Sequence, residues 1–234
     1  DESEWEVLVP SNGLHVERLG GVVQFVGGWD MGYVNHAWCC VQPWRRFREG
    51  RYELCIAVLD EVVHVGKTVS VREFAREVLG KMELLEQAVD FRLAWADFTD
   101  ASALKFRSAI DRDDLPTDSD ATDSAIVEAE SKGKIRLVGS AAVRKKGWQK
   151  KRADFLSELL ANGRIRVSAQ CRWVRQMFER LRRDTHDNPK EYLAKGQDEK
   201  HIFDALSYPI CMLFLESLAE EADPIVKSVG RVVR

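Results

Sequence analysis

Hydrophobic and polar positions follow two regimes along the 234-residue chain. Short continuous apolar runs bounded by Gly, Pro or charged clusters predict strands buried on both faces, and apolar positions three and four apart predict helices packed along one stripe. Residues 22–26 form the first such run, leading into Gly27-Gly28-Trp29-Asp30-Met31-Gly32. Residues 36–42 and 52–59 predict two more strands, with Pro43 and the basic residues Arg45, Arg46, Arg48 and Arg51 in the turn between them. Val71, Phe74, Val78, Met82 and Leu85 recur at helical spacing. A fourth strand is expected over residues 91–97, ending in Asp97, then a helix over 104–110 capped at Asp100-Ala101-Ser102. Further elements follow at 124–131 (helix), 135–138 (strand), 155–160 (helix), 165–167 (strand) and 172–183 (helix). The last is a long helix opening at Asp198 and kinked at Pro209.

This order sets a three-strand meander beside a strand–helix alternation, which predicts a parallel crossover next to the first strand. In that arrangement Asp30 and Asp97 stand on neighbouring strands and converge at their carboxyl ends. Residues 1–21 read as a linker or lead-in, 22–220 as one α/β domain and 221–234 as a tail. An acidic insertion lies at about 111–131 (Asp111, Asp113, Asp114, Asp118, Asp120 and Asp123 among its residues). It lacks the Gly and terminal Glu of a calcium loop.

Composition narrows the class. A hydrophobic content of 45% with 31% charged residues is that of a globular protein, and no apolar run reaches the length of a membrane span. Five cysteines without Cys-x-x-Cys spacing read as reduced core residues, not a disulfide frame or zinc site. A net charge of −3 leaves polyanion binding to local patches. The strongest is Arg144, Lys145, Lys146, Lys150, Lys151 and Arg152, with Trp148 between them. As a basic loop with an aromatic it suits a phosphate backbone. Gly66-Lys67-Thr68 is not a phosphate loop, because Glu61 stands where that motif needs glycine.

An acid at the end of a buried strand has to be paired, hydrogen-bonded or metal-bound. Asp30 and Asp97 both occupy such positions. In the last helix Asp204, with Lys200, His201 and Tyr208, lies opposite the apolar stripe of Ile202, Phe203, Leu206, Ile210, Leu213 and Phe214. Three carboxylates without soft ligands suit magnesium or manganese.

Together, Gly28-Trp29-Asp30-Met31-Gly32, Trp95-Ala96-Asp97 and His201-Ile202-Phe203-Asp204-Ala205-Leu206-Ser207-Tyr208 resemble the nuclease domain of tailed-bacteriophage terminase large subunits, over roughly residues 22–215. The resemblance implies an RNase H-like fold, a mixed central β-sheet flanked by helices. It implies a DNA endonuclease that cuts concatemeric double-stranded DNA through a two-metal site of Mg²⁺ or Mn²⁺, with Asp30, Asp97 and Asp204 as ligands. Asp30 is then the bridging ligand, and His201 orients Asp204 or assists proton transfer. An N-terminal ATPase domain, the portal protein and the small terminase subunit are the implied partners, and the host-cell cytoplasm the implied setting. The family often has an acid before the His and an Arg before the Tyr, where this chain has Lys200 and Ser207. Asp60, Glu61, Asp198 and Glu199 are therefore further acids to place. Other readings are a resolvase- or transposase-type nuclease of the same superfamily, or a DNA- or portal-docking module. An actin-like ATPase would need a second Asp-x-Gly loop, and Asp97-Phe98-Thr99 lacks the glycine.

Overall fold

Alternating apolar side chains in the first hundred residues build the centre of a mixed sheet. β1 (Val23–Met31) pairs antiparallel with β2 (His36–Arg48), and β2 pairs antiparallel with β3 (Arg51–His64). After α1 (Val71–Gln87), the chain returns as β4 (Leu93–Thr99), parallel to β1 on its other side. Beyond α2 (Asp123–Glu130), β5 (Leu137–Gly139) extends the sheet parallel to β4. α3 (Trp148–Ala161) then leads to β6 (Ile165–Val167), parallel to β3 at the opposite edge, and α4 (Arg172–Arg180) and α5 (Glu199–Leu213) follow. The strand order is β5-β4-β1-β2-β3-β6. The structure is a computed structural model and describes residues 23–31, 35–48, 50–66, 68–87, 93–99, 122–139, 148–181 and 198–214. The helix expected over 104–110, the acidic residues 111–121, Arg144, Lys145, Lys146 and both terminal segments lie outside them.

The central sheet separates two apolar layers. Phe25, Trp29, Trp38 and Cys40 point to the side where α1 lays Val71, Phe74, Val78, Met82 and Leu85, the five positions of its predicted stripe. Val26, Ala37, Cys39 and Val41 point to the other side, against α5 with Ile202, Phe203, Leu206 and Ile210, backed by Val174 and Met177 of α4 and Leu156 and Leu159 of α3. Ser207 and Tyr208 are buried too, so Tyr208 belongs to the core, not to a polar face. All five cysteines are buried.

Several strands outrun their predicted lengths. β1 continues through both glycines, which places Asp30 inside the strand and not after it. β2 and β3 form a long hairpin in which Arg45, Arg46, Arg48 and Arg51 belong to paired strand ends, with Gly50 (φ 79°) at the turn. Pro43 is tolerated because, among the described residues, β2 pairs with β1 only as far as Val41. α2 buries Ile126 and Val127 against the α1 layer, and Glu130 meets Arg72 and Arg76 of α1, so this end of the acidic segment is a packed helix.

Gly28 sets how closely α5 lies on β1. A β-carbon built there would overlap the Ala205 carbonyl oxygen and the Pro209 ring. Gly80, in α1, has nothing within 4 Å of a built β-carbon. Gly28→Ala is therefore expected to cost about 2–4 kcal/mol of unfolding free energy, whereas Gly80→Ala gains about 0.5–1 kcal/mol. Urea denaturation of the two variants checks both signs.

Candidate functional site

Strand alternation and helix spacing bring three of the expected residues together. Val26, Gly28 and Asp30 occupy the α5 side of β1, and the close approach at Gly28 carries the first turns of α5 over the strand's carboxyl end. His201 Nδ1 there lies 2.7 Å from Asp30 Oδ2. The carboxylate only accepts, so Nδ1 carries the proton and donates. This bond, more than any other effect, raises the His201 pKa from its ordinary value, against the opposing effect of burial. His201 thus bonds Asp30 of β1, and no described side-chain bond joins it to Asp204 on its own helix.

Asp204 follows His201 by three residues and stands on the same side of α5. Burial raises its pKa to about 6, the Arg152 guanidinium opposes the rise, and the charge of Asp30 adds to it. Arg152 Nη2 lies 2.9 Å from Asp204 Oδ1. This charge-assisted contact holds the buried carboxylate against the guanidinium. Two carboxylates, 174 positions apart in sequence, therefore share one partly enclosed place.

Asp97 is not brought into this place. β4 is parallel to β1 with Asp97 at the level of Gly27, so the strands are neighbours as expected. The expected convergence of carboxylates fails because Asp97 lies on the Gly27 and Trp29 side of the sheet, and Asp30 on the other. Trp29 Nε1 donates to Asp97 Oδ1 at 2.8 Å, and Gly27 leaves the room, since a β-carbon there would overlap that oxygen. Burial lifts the Asp97 pKa to about 6, and the indole donor opposes it.

Glu61 and Asp60 have separate partners. Glu61 Oε1 and Oε2 accept from the Trp173 and Val174 backbone N–H at 2.8 and 2.9 Å, closing the open donors at the start of α4. Asp60, on the opposite face, pairs with Lys81 Nζ at 3.1 Å. Asp198 is exposed at the start of α5, with no side-chain capping bond.

The basic cluster also divides. Its described residues lie in the first turns of α3 and not in a loop. Lys150 and Lys151 are exposed, Lys150 2.6 Å from Asp154 and Lys151 over the Trp148 ring at 5.9 Å from its centroid. Trp148 is buried, so its ring is not presented for stacking on a base. Arg152 is 4% exposed and points inward, which corrects its expected place in a solvent-facing grip. The periodicity carried that signal. Trp148, Arg152, Leu156 and Leu159 fall on one helical stripe, and the stripe is buried.

Asp30 and Asp204 offer hard oxygen donors, each carboxylate having a second oxygen beyond the one that meets His201 or Arg152. Among the described residues no three of His, Cys, Asp and Glu gather to hold a metal ion. The pair nevertheless fits a magnesium-like cation, which typically takes one or two carboxylates and fills its remaining positions with water and substrate phosphate.

No family model matches the chain, and no curated protein does. Solved structures do. The large terminase of the thermophilic bacteriophage D6E aligns with a TM-score of 0.57 at 13% identity, over 92% of this chain and 44% of that one. Its ADP complex aligns with a TM-score of 0.55 at 13% identity, over 90% and 42%. The large terminase nuclease of thermophilic phage G20c aligns with a TM-score of 0.47 at 11% identity, over 80% and 81%. The fold is RNase H-like. This RNase H-like chain spans less than half the length of the D6E protein. No described helix is long and apolar enough to cross a membrane.

The pKa shifts fix a pH dependence. Asp97 and Asp204 are raised, so their protonated forms favour the fold, and that stability is present below the ordinary carboxylate pKa and lost as pH rises through about 6. Raised His201 acts in the same sense at higher pH. Asp97→Asn keeps an acceptor for Trp29 and removes one ionisation. It is expected to exceed the parent's metal-free stability by about 1–3 kcal/mol at pH 8 and not at pH 4. Chemical denaturation at both pH values checks this, and an equal effect at each would contradict it.

Proposed function

We propose that the chain is the nuclease domain of a viral DNA-packaging terminase, a divalent-metal-dependent endonuclease that cuts concatemeric double-stranded DNA. The observation that carries this reading is the meeting of Asp30 and Asp204 at the end of the central strand of an RNase H-like sheet. Hydrolysis of a phosphodiester needs an activated water and a stabilised leaving oxygen, and bound Mg²⁺ or Mn²⁺ supplies both. Asp30 and Asp204 hold the cation, while His201, donating through Nδ1, fixes the Asp30 carboxylate. A two-cation site needs a further carboxylate. The family resemblance assigns that part to Asp97, but Asp97 faces the other side of the sheet beneath Trp29, so the residues that meet here, Asp30 and Asp204, provide for one cation. An ATPase domain, the portal protein and the small terminase subunit complete the proposed machine in the host-cell cytoplasm.

Supercoiled plasmid is expected to be nicked and linearised with Mg²⁺ or Mn²⁺, and excess EDTA to stop it. Asp204→Asn is expected to lower the rate about a hundredfold or more and to shrink the rise in Tm that Mn²⁺ produces. Cleavage that survives EDTA, or an Asp204→Asn protein cutting at the parental rate, removes the reading.

The same proposal gives Arg144, Lys145, Lys146, Lys150 and Lys151 the phosphate backbone, without a part in the chemistry. Lys150 and Lys151 are exposed at the start of α3. Neutralising both to Gln is expected to reduce the slope of log Kd against log salt by about one to two, because fewer counterions are released, and to leave Mn²⁺ affinity unchanged. Fluorescence anisotropy with labelled duplex at several salt concentrations measures the slope.

A further inference from the structure

Arg152 is a cation with almost no access to water, and such a group persists only where it is paired and hydrogen-bonded. Its partners come from one stretch of α5. Nη1 donates to Ser207 Oγ at 2.6 Å, and Nη2 stands 2.9 Å from Asp204 Oδ1. The guanidinium carbon lies 5.2 Å from the Phe203 ring centroid and 5.1 Å from that of Tyr208. Positions 203, 204, 207 and 208 neighbour each other on a helix, so together they make a socket for one planar group. Ser207 is itself tied to the helix, donating to the Asp204 carbonyl oxygen at 3.2 Å. With the rings and Ser207 fixing the plane and one edge of the guanidinium, its other edge is held against Asp204.

We propose that Arg152 is the positioning residue of Asp204. It holds the carboxylate toward Asp30 in the orientation in which the two take a divalent cation, and it does not contact DNA. The inference rests on the nuclease reading for what that cation does. A lysine at this position keeps the charge but gathers its three donors on one nitrogen in place of a rigid planar fork, so it loses the fixed spacing and plane that hold Ser207 and Asp204 together. Arg152→Lys therefore separates orientation from charge. Ser207→Ala loosens the same fork with no change of charge and the smallest threat to folding.

The test is Mn²⁺ titration of the full chain, with free Mn²⁺ read by electron paramagnetic resonance, together with plasmid cleavage resolved into kcat and KM. Arg152→Lys is expected to weaken Mn²⁺ binding by about 10–100-fold and to lower kcat by a similar factor, with KM for plasmid unchanged. Ser207→Ala shifts both the same way by less, and decides alone if Arg152→Lys does not give the parental circular dichroism spectrum. Unchanged Mn²⁺ affinity in the folded variants overturns the inference. So does a changed KM and salt slope at constant kcat, which would make Arg152 a DNA contact. If the parent itself binds no Mn²⁺, the nuclease reading fails. The pairing is then judged on metal-free Tm, where Asp204→Asn added to Arg152→Gln should restore part of the loss, because removing one member of a buried pair strands the other. Strictly additive losses overturn it.

Discussion

The close contact of α5 with β1 at Gly28 is the constraint on which the site depends. A strand holds Asp30, a helix holds His201 and Asp204, and nothing local in either segment brings them together. Only a residue without a side chain lets the Ala205 carbonyl and the Pro209 ring sit directly on the strand. The apolar stripe of α5 provides the drive for this docking, and Gly28 sets its depth. At that depth His201 reaches Asp30 at 2.7 Å, and Asp204 feels the Asp30 charge. The adjacent glycine serves the other face, where Gly27 leaves space for Asp97 beneath the Trp29 indole.

Each acid of the site has a protein cation or donor beside it: His201 for Asp30 and Arg152 for Asp204. Two partly buried carboxylates repel when both are ionised, and burial alone already disfavours their charge. The neighbouring imidazole and guanidinium reduce that cost without removing it, as the raised pKa of Asp204 shows. The protein's own groups thus compensate the two acids in part and not in full.

The same sheet makes two neighbouring acids unequal. Asp60 and Glu61 are consecutive in β3, yet one reaches Lys81 of α1 and the other closes the first turn of α4, because successive side chains leave a strand on opposite faces. Alternation likewise parts Asp97 from Asp30. Both stand near strand ends on adjacent parallel strands, but they differ by an odd number of positions in the register, Gly27 being the partner of Asp97.

Much of the fold was legible in the sequence. The five-residue stripe of α1, the short strand β6, the meander of the first three strands and the parallel return of β4 follow from periodicity and from apolar runs. Asp30, His201 and Asp204 stood out because an acid beside an apolar run or stripe demands a partner. Strand lengths were underestimated, since pairing with a neighbour extends a strand through glycine, proline and arginine that would end it alone. What the sequence by itself determined is therefore the local periodicity of each element and the supply of acids. Which acids meet was decided by the tertiary structure. The register between β1 and β4 and the docking depth of α5 depend on contacts between segments up to 180 or so positions apart, and no local pattern encodes them. Arg152 sits between these cases. Its place on an apolar stripe was written in the helix, but only the socket on α5 gave that inward charge a partner.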